Sequence, residues 1–211
     1  IREKWSKILS GVSFSKATIT AKSEKHHSFT GPFLFTHTGI SGPAVFALSS
    51  LIAFEDYGLK KPLAITIDLL PEITIEKLLI EIKKLMSESP KKTFKNILRN
   101  FVPLSVSEVI CAQAEISPEK KNAETSNQTI ANAINFLKQL PLTVVGRGSG
   151  DEFVTAGGVD TVEIDPRTME SKLTPGLYFA GEILNIDGFT GGFNLQASWA
   201  TGRAAGESAA I

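Results

Sequence analysis

A chain of 211 residues can bury the core of one large domain or two small ones. Its 42% hydrophobic and 21% charged fractions are those of an ordinary globular protein, and a formal charge of zero gives no global pull on phosphate backbones or anionic lipid. Neither a nucleic-acid nor a membrane partner is expected on that ground. The single cysteine, Cys111, excludes an internal disulfide, no apolar run approaches a bilayer span, and no charged-then-apolar leader opens the chain, so a cytoplasmic setting is expected. The opening Ile1-Arg2-Glu3-Lys4-Trp5 lacks an initiator methionine, and we read it as an excised piece of something longer.

In chain order, residues 1–70 read as β-rich. Strand signals stand at "ATITA" (17–21), "FLF" (33–35) and "LAITIDL" (63–69), the last placing Leu63, Ile65, Ile67 and Leu69 on one face. Between them "AVFALSSLIAF" (44–54) reads as a short buried helix with Pro43 in its first turn. From 71 to 140 the period becomes helical. Ile75, Leu78, Leu79, Ile82, Leu85 and Met86 form one stripe, and Pro90 and Pro103 bracket a second helix around Phe94, Ile97 and Leu98. Ser105-x-x-Glu108 has the form of a capping box opening a third helix. A fourth runs from about Ser126 to Leu140, with Ile130, Ala133, Ile134 and Leu137 inward and Pro141 closing it. Strand signals return at "LTVV" (142–145), "EFVTA" (152–156), "TVEI" (161–164) and "LYFA" (177–180), and a helix runs from about Phe193 to the end. The fold class is mixed, α+β, with domains at 1–145 (β-rich 1–70, helical 71–140) and 146–211.

The stretch "GLYFAGEILNIDGFTGGFNLQ" (176–196) sets a glycine-rich loop before that last helix. A helix start carries free N–H groups and a partial positive charge, and Gly191-Gly192 let a ligand approach the backbone closely. On spacing alone Gly188, Gly191 and Gly192 serve equally as a surface loop with positive φ angles. Leu195, Trp199, Gly202, Gly206 and Ala209 share one helix face, and the Gly202-x-x-x-Gly206 pair is expected to press tightly on a neighbouring element.

The stretch "VTAGGVDTVEIDPRTMESKLTPGLYFAGEILNIDGFTGGFNLQASWATGRAAG" (154–206), with "LSGVSFSKATIT" (9–20) and "LFTHTGISGPAVFALS" (34–49), resembles the YhiN-like, or BaiN-like, NAD(P)/FAD-dependent flavoproteins. The resemblance spans nearly the whole chain. It implies a β-barrel-like and small helical insertion domain, then the C-terminal strand–helix portion of a split FAD-binding domain whose N-terminal dinucleotide-binding half is missing. Gly146-Arg147-Gly148-Ser149-Gly150 does not supply that half: its spacing is not G-x-G-x-x-G, and "DEFVTAGGV" (151–159) reads as strand where a helix is needed.

By the same resemblance, the intact parent transfers a hydride between NAD(P)H and an unidentified small-molecule acceptor through FAD, while the chain alone lacks FAD and is inactive. The residues placed at the cofactor are Gly181, Glu182, Asp187, Gly188, Thr190, Gly191, Gly192, Phe193, Asn194 and Leu195. Glu182 falls where related flavoproteins carry an acid that accepts from ribityl or ribose hydroxyls. Thr190 to Leu195 would meet the pyrimidine edge of the isoalloxazine, where the helix's positive end stabilises the anionic reduced ring. Asn185 stands where the family often has Asp, and Phe193 where Tyr is common. No catalytic residue is assigned. A module that completes or binds a partner subunit without catalysis, and a homodimer paired through exposed edges, are the other readings.

The remaining candidates read as structural. His37 and Ser41 in "FTHTGISGP" lack an acidic third partner and fit a hydrogen-bonded turn before a helix. His26-His27, beside Glu24 and Lys25, read as a solvated loop without metal, and Cys111 as core. The lysines at 83–84, 91–92 and 120–121 are interleaved with glutamates, which reads as solvated helix faces and not as a phosphate-tracking stripe.

Overall fold

The computed structural model describes residues 1–22, 25–148, 155–189 and 191–210. The chain divides into two compact units, 1–48 with 56–148 and 49–55 with 149–211. The mixed α/β class expected from sequence is what forms.

The first unit is built on a five-stranded sheet. β1 (Ser13–Lys22) lies between β2 (His26–Phe35) and β4 (Leu63–Asp68); β3 (Ile40–Ser41) adds to β2, and β5 (Leu140–Val144) to β4. Every pairing is antiparallel, with Ile19 opposite Phe29 on one side and Ile67 on the other. Alternation decides the faces. Ala17, Ile19, Ala21, Phe33, Phe35, Ile65, Ile67 and Leu142 are at most 2% exposed. The opposite face carries hydroxyl pairs, Thr18 with Thr30 at 2.7 Å and Thr20 with Ser28 at 3.1 Å. Phe33 and Phe35 meet edge to face at 4.7 Å, which adds about 1 kcal/mol to their burial.

Helices α2 (Ile75–Glu88), α3 (Phe94–Leu98), α4 (Leu104–Gln113) and α5 (Asn127–Lys138) pack on one another, and α5 also lies against β4 and β5. The amphipathic stripes select what is buried: Leu78 and Ile82 from α2, and Ile130, Ala133, Ile134 and Leu137 from α5. Ser126 caps α5 by accepting from the Thr129 N–H at 3.2 Å, and Thr74 caps α2 through the Lys77 N–H. Lys138 ties α5 back to the sheet. Its Nζ lies 2.6 Å from Asp68 and donates to the carbonyls of Leu70 and Ile73.

Several sequence expectations shift in this unit. Ser105 does not open α4: Pro103 occupies the cap position, Ser105 lies inside the helix, and Glu108 pairs with Lys95 at 3.1 Å. The helix starts earlier because a proline there loses no hydrogen bond. α5 stops at Lys138, so Leu140 and Pro141 belong to β5, an edge strand where a missing N–H is tolerated. His26 and His27 are not in a loop; they pair with Lys22 and Ala21 in the β1–β2 ladder. α1 (Pro43–Leu51) ends three residues short of Phe54, which is 80% exposed.

The second unit has a smaller core, in which Ile164, Met169, Leu184 and Ala205 are buried with Tyr178, Phe179 and Ala204 packed on them. Two expected strands are absent there. "TVEI" is a 3-10 turn over Thr161–Glu163, and "LYFA" makes only an isolated bridge, Tyr178 to Glu170. Of "EFVTA", residues 152–154 lie outside the described residues, and Thr155 and Ala156 are not in a strand. The last helix, α6 (Phe193–Ala209), forms as expected. Its glycines do not press on a neighbour: a Cβ at Gly202 or Gly206 would meet nothing within 4 Å, while Leu195 and Trp199 are 70% and 78% exposed. Ala205 is the face turned inward, because the neighbouring Ala204 and Thr201 share its side of the helix. Among the described residues, no helix is long and apolar enough to cross a membrane, and no cluster of His, Cys, Asp or Glu could hold a metal ion.

Candidate functional site

The glycine-rich loop and the start of α6 form one hydrogen-bonded assembly within the second unit. Gly158, at φ +126°, lets the chain run against residues 183–185, where the Val159 N–H donates to Ile183 and the Asn185 N–H to Val159, both at 2.8 Å. This parallel bridge, Val159 to Leu184, anchors the loop from behind. Gly181, in a left-handed conformation at φ +80°, donates its N–H to Thr201 Oγ1 at 3.0 Å, joining the loop to the middle of α6. Glu182 is exposed and accepts the Thr155 N–H through Oε1 at 3.2 Å. Asp187 accepts from the Ser50 hydroxyl at 2.5 Å.

Asn194 closes the assembly. Its Oδ1 accepts the Gly188 N–H at 2.7 Å and its Nδ2 donates to the Gly188 carbonyl at 2.9 Å, so one side chain satisfies both backbone groups of a single residue. Gly188 is pressed so closely that a Cβ would lie 3.0 Å from that of Phe193.

Gly191 and Gly192 sit at φ +127° and +86°, and Gly192 caps α6 with no side-chain hydrogen bond. The helical ladder begins with the Gln196 N–H on the Gly192 carbonyl at 2.9 Å, so the amides of Phe193, Asn194 and Leu195 have no intrahelical acceptor. No carboxylate stands in the first turn to offset the positive end of the helix. Gly191, Gly192, Phe193 and Leu195 are all exposed, and nothing within 4 Å would meet a Cβ on Gly192. The helix start is therefore exposed and carries the partial positive charge of its unpaired amides.

Of the residues expected at the cofactor, Gly181, Glu182, Asp187, Gly188, Gly191, Gly192, Phe193, Asn194 and Leu195 lie along this loop and helix start, and Thr190 lies outside the described residues. Sequence reading missed the partners that hold them: Thr155, Thr201 and Ser50, which are 27, 20 and 137 residues away from the groups they bond. No local pattern marks such pairs. His37 is exposed beside a turn closed by Thr36 and Gly39, whose amides and oxygens bond each other at 2.9 and 3.0 Å, as a structural role requires. Cys111 is 2% exposed, and burial pushes its thiol up to about 11, opposite to the shift of a reactive cysteine.

The family described as HI0933-like protein barrel and H2TH domain matches residues 1–153, and the chain belongs to it. Three curated relatives are similar over most of this chain. A ribosomal RNA dihydrouridine synthase of Haemophilus influenzae is 37% identical over 94% of it. The Escherichia coli protein of the same name is 33% identical over 92%. A 3-dehydro-bile acid delta(4,6)-reductase of Clostridium scindens is 35% identical over 86%. The chain spans 44–46% of the length of these relatives.

Proposed function

We propose that this chain is part of an FAD-dependent oxidoreductase in which the loop 181–188 and the first turn of α6 hold the isoalloxazine end of FAD. The observation that carries the reading is the exposed, uncapped start of α6, with three amides lacking an intrahelical acceptor and no carboxylate beside them. Bound FAD would supply hydride transfer, with NAD(P)H as the reductant. The protein's part is electrostatic: the N–H groups of Phe193, Asn194 and Leu195 favour negative charge at the pyrimidine edge without giving up a proton. Asn194 holds that geometry through Gly188, so little reorganisation accompanies the charge. Glu182, exposed and bonded through Oε1 alone among the described residues, can accept from ribityl or ribose hydroxyls.

The relatives' names suggest the reaction class. Dihydrouridine is uridine whose ring double bond, conjugated to a carbonyl, has been reduced; a delta(4,6)-reductase of a 3-dehydro steroid likewise reduces a double bond conjugated to a ketone. We extend that class, reduction of a carbon–carbon double bond conjugated to a carbonyl, to the acceptor of this protein. Two of those names specify ribosomal RNA, which makes a base within a polynucleotide one acceptor of that class. The test is FAD retention and anaerobic NAD(P)H oxidation by the intact protein, compared with a Gly191→Val/Gly192→Val variant. Stoichiometric flavin in the wild type and tenfold or greater weakening in the variant are expected, with the isolated chain holding FAD weakly. An intact protein that binds no flavin, or a variant that binds it equally well, refutes the reading.

A further inference from the structure

We propose that Asp187-Gly188 is a site of isoaspartate formation, and that the Asn194 clamp holds the reaction off while the loop stays closed. The inference goes beyond the proposed cofactor role and stands whether or not the loop holds a flavin.

Asp187 is the chain's one aspartate or asparagine followed by glycine. At such a pair the glycine nitrogen can attack the preceding side-chain carboxyl carbon, because the following residue has no Cβ to obstruct the approach. The bond from the Gly188 nitrogen to Asp187 Cγ forms, and the amide hydrogen leaves as water with the hydroxyl of the protonated carboxyl group. Water then opens the five-membered succinimide. Attack at Cγ restores aspartate; attack at the main-chain carbonyl leaves the chain running through Cβ and Cγ, which is isoaspartate. The conversion is an isomerisation and needs no oxidant or reductant.

Packing keeps this labile pair in the chain. A Cβ at Gly188 would lie 3.0 Å from the Phe193 Cβ and 3.2 Å from Asn194 Oδ1, so the larger residue that would slow the attack does not fit. Asp187 is exposed, which leaves its carboxyl group open to water. Hydrogen bonds restrain both reacting groups. The Gly188 N–H donates to Asn194 Oδ1 at 2.7 Å, and Asp187 Oδ2 accepts from the Ser50 hydroxyl at 2.5 Å. The second arm of the clamp, Asn194 Nδ2 on the Gly188 carbonyl at 2.9 Å, fixes the peptide planes on both sides of Gly188. Ring closure needs a freed nitrogen turned toward Cγ, so it waits on local opening of the loop. Once made, the change sustains itself. Isoaspartate inserts one more carbon, about 1.5 Å of chain, ahead of Gly188. Asn194 then cannot recover both groups of Gly188, and the loop loses its hold on the start of α6.

The test is peptide mapping of the intact protein aged at neutral pH, with isoaspartate at position 187 read by electron-transfer fragmentation and by isoaspartyl methyltransferase labelling. Wild type held in urea is expected to accumulate isoaspartate there, and native wild type to do so far more slowly. Native Asn194→Ala should react about tenfold faster than native wild type, the effect of losing one to two hydrogen bonds on loop opening. Gly158→Ala, which parts the loop from its backing segment with Asn194 in place, should accelerate the reaction as well, and Gly176→Ala should not. Hydrogen exchange of β1 and β4 should be unchanged in these variants, so that local opening and not global unfolding is what is read. Absence of isoaspartate at 187 in urea-treated wild type overturns the proposal. So do equal rates in native and unfolded wild type, or in native wild type and both opening variants. Flavin content is no part of the readout, so a flavin-free protein sinks the cofactor reading and leaves this one standing.

Discussion

Replacing Gly158 with alanine should dislodge the loop that carries the candidate site. At φ +126° an L-residue is strained by about 1–3 kcal/mol. The new Cβ would also lie 2.3 Å from the Ile183 carbonyl oxygen and 2.9 Å from the Leu184 carbonyl carbon, backbone atoms that cannot rotate away. Relief requires parting the two segments, which breaks the Val159-to-Ile183 and Asn185-to-Val159 hydrogen bonds, each worth about 1 kcal/mol net. Strain and lost bonds together come to about 4 kcal/mol. Gly176→Ala is the matched control, because φ there is +79° but nothing lies within 4 Å of a Cβ, so only about 1–2 kcal/mol of conformational strain is expected. Hydrogen exchange read on peptides covering 159–163 and 183–188 separates the cases. Gly158→Ala should accelerate both peptides by two orders of magnitude or more, and Gly176→Ala should barely affect them. Equal protection in the two variants would show that close approach at Gly158 does not position the loop.

Asn194→Ala removes both hydrogen bonds to Gly188, at an expected local cost of about 1–3 kcal/mol, visible as faster exchange of the Gly188 amide and weaker FAD retention by the intact protein. Lys138→Met strips the ammonium from Asp68 and from two carbonyls at a side chain only 10% exposed, and should lower stability by about 3 kcal/mol in urea unfolding. Cys111 should resist iodoacetamide in the native chain at neutral pH and react after denaturation. Because burial raises its pKa to about 11, the folded chain keeps a proton that the unfolded chain sheds from about pH 8.5. Its contribution is therefore intact below that range and lost as pH rises toward 11; Cys111→Ala should flatten this part of the stability profile.

Elements whose evidence is local are legible in the sequence. The stripe of α2, the Ser126 cap of α5 and the alternation of β4 each specify themselves within one segment. "LYFA" and "TVEI" have strand composition but not strand partners, because pairing is decided by segments remote in sequence, and here the described residues offer only isolated bridges. The face of α6 departs from expectation for a related reason. Glycine spacing marks where a close approach is possible, and nothing in the sequence says whether a neighbour uses it. Gly191-Gly192 before a helix announces the turn at the candidate site, since only the backbone conformation of those residues is needed. The clamp of Asn194 on Gly188 and the bonds from Thr155, Thr201 and Ser50 stay hidden, being contacts that only the folded chain creates.

The central claim is that the amides at the start of α6 receive the flavin. Hydrogen exchange on a peptide covering 191–196, in the intact protein with and without FAD, tests it most directly. Strong protection of the Phe193, Asn194 and Leu195 amides on saturation with FAD is the predicted result. Saturating, stoichiometric FAD binding that leaves these amides exchanging at their unliganded rate would contradict the account.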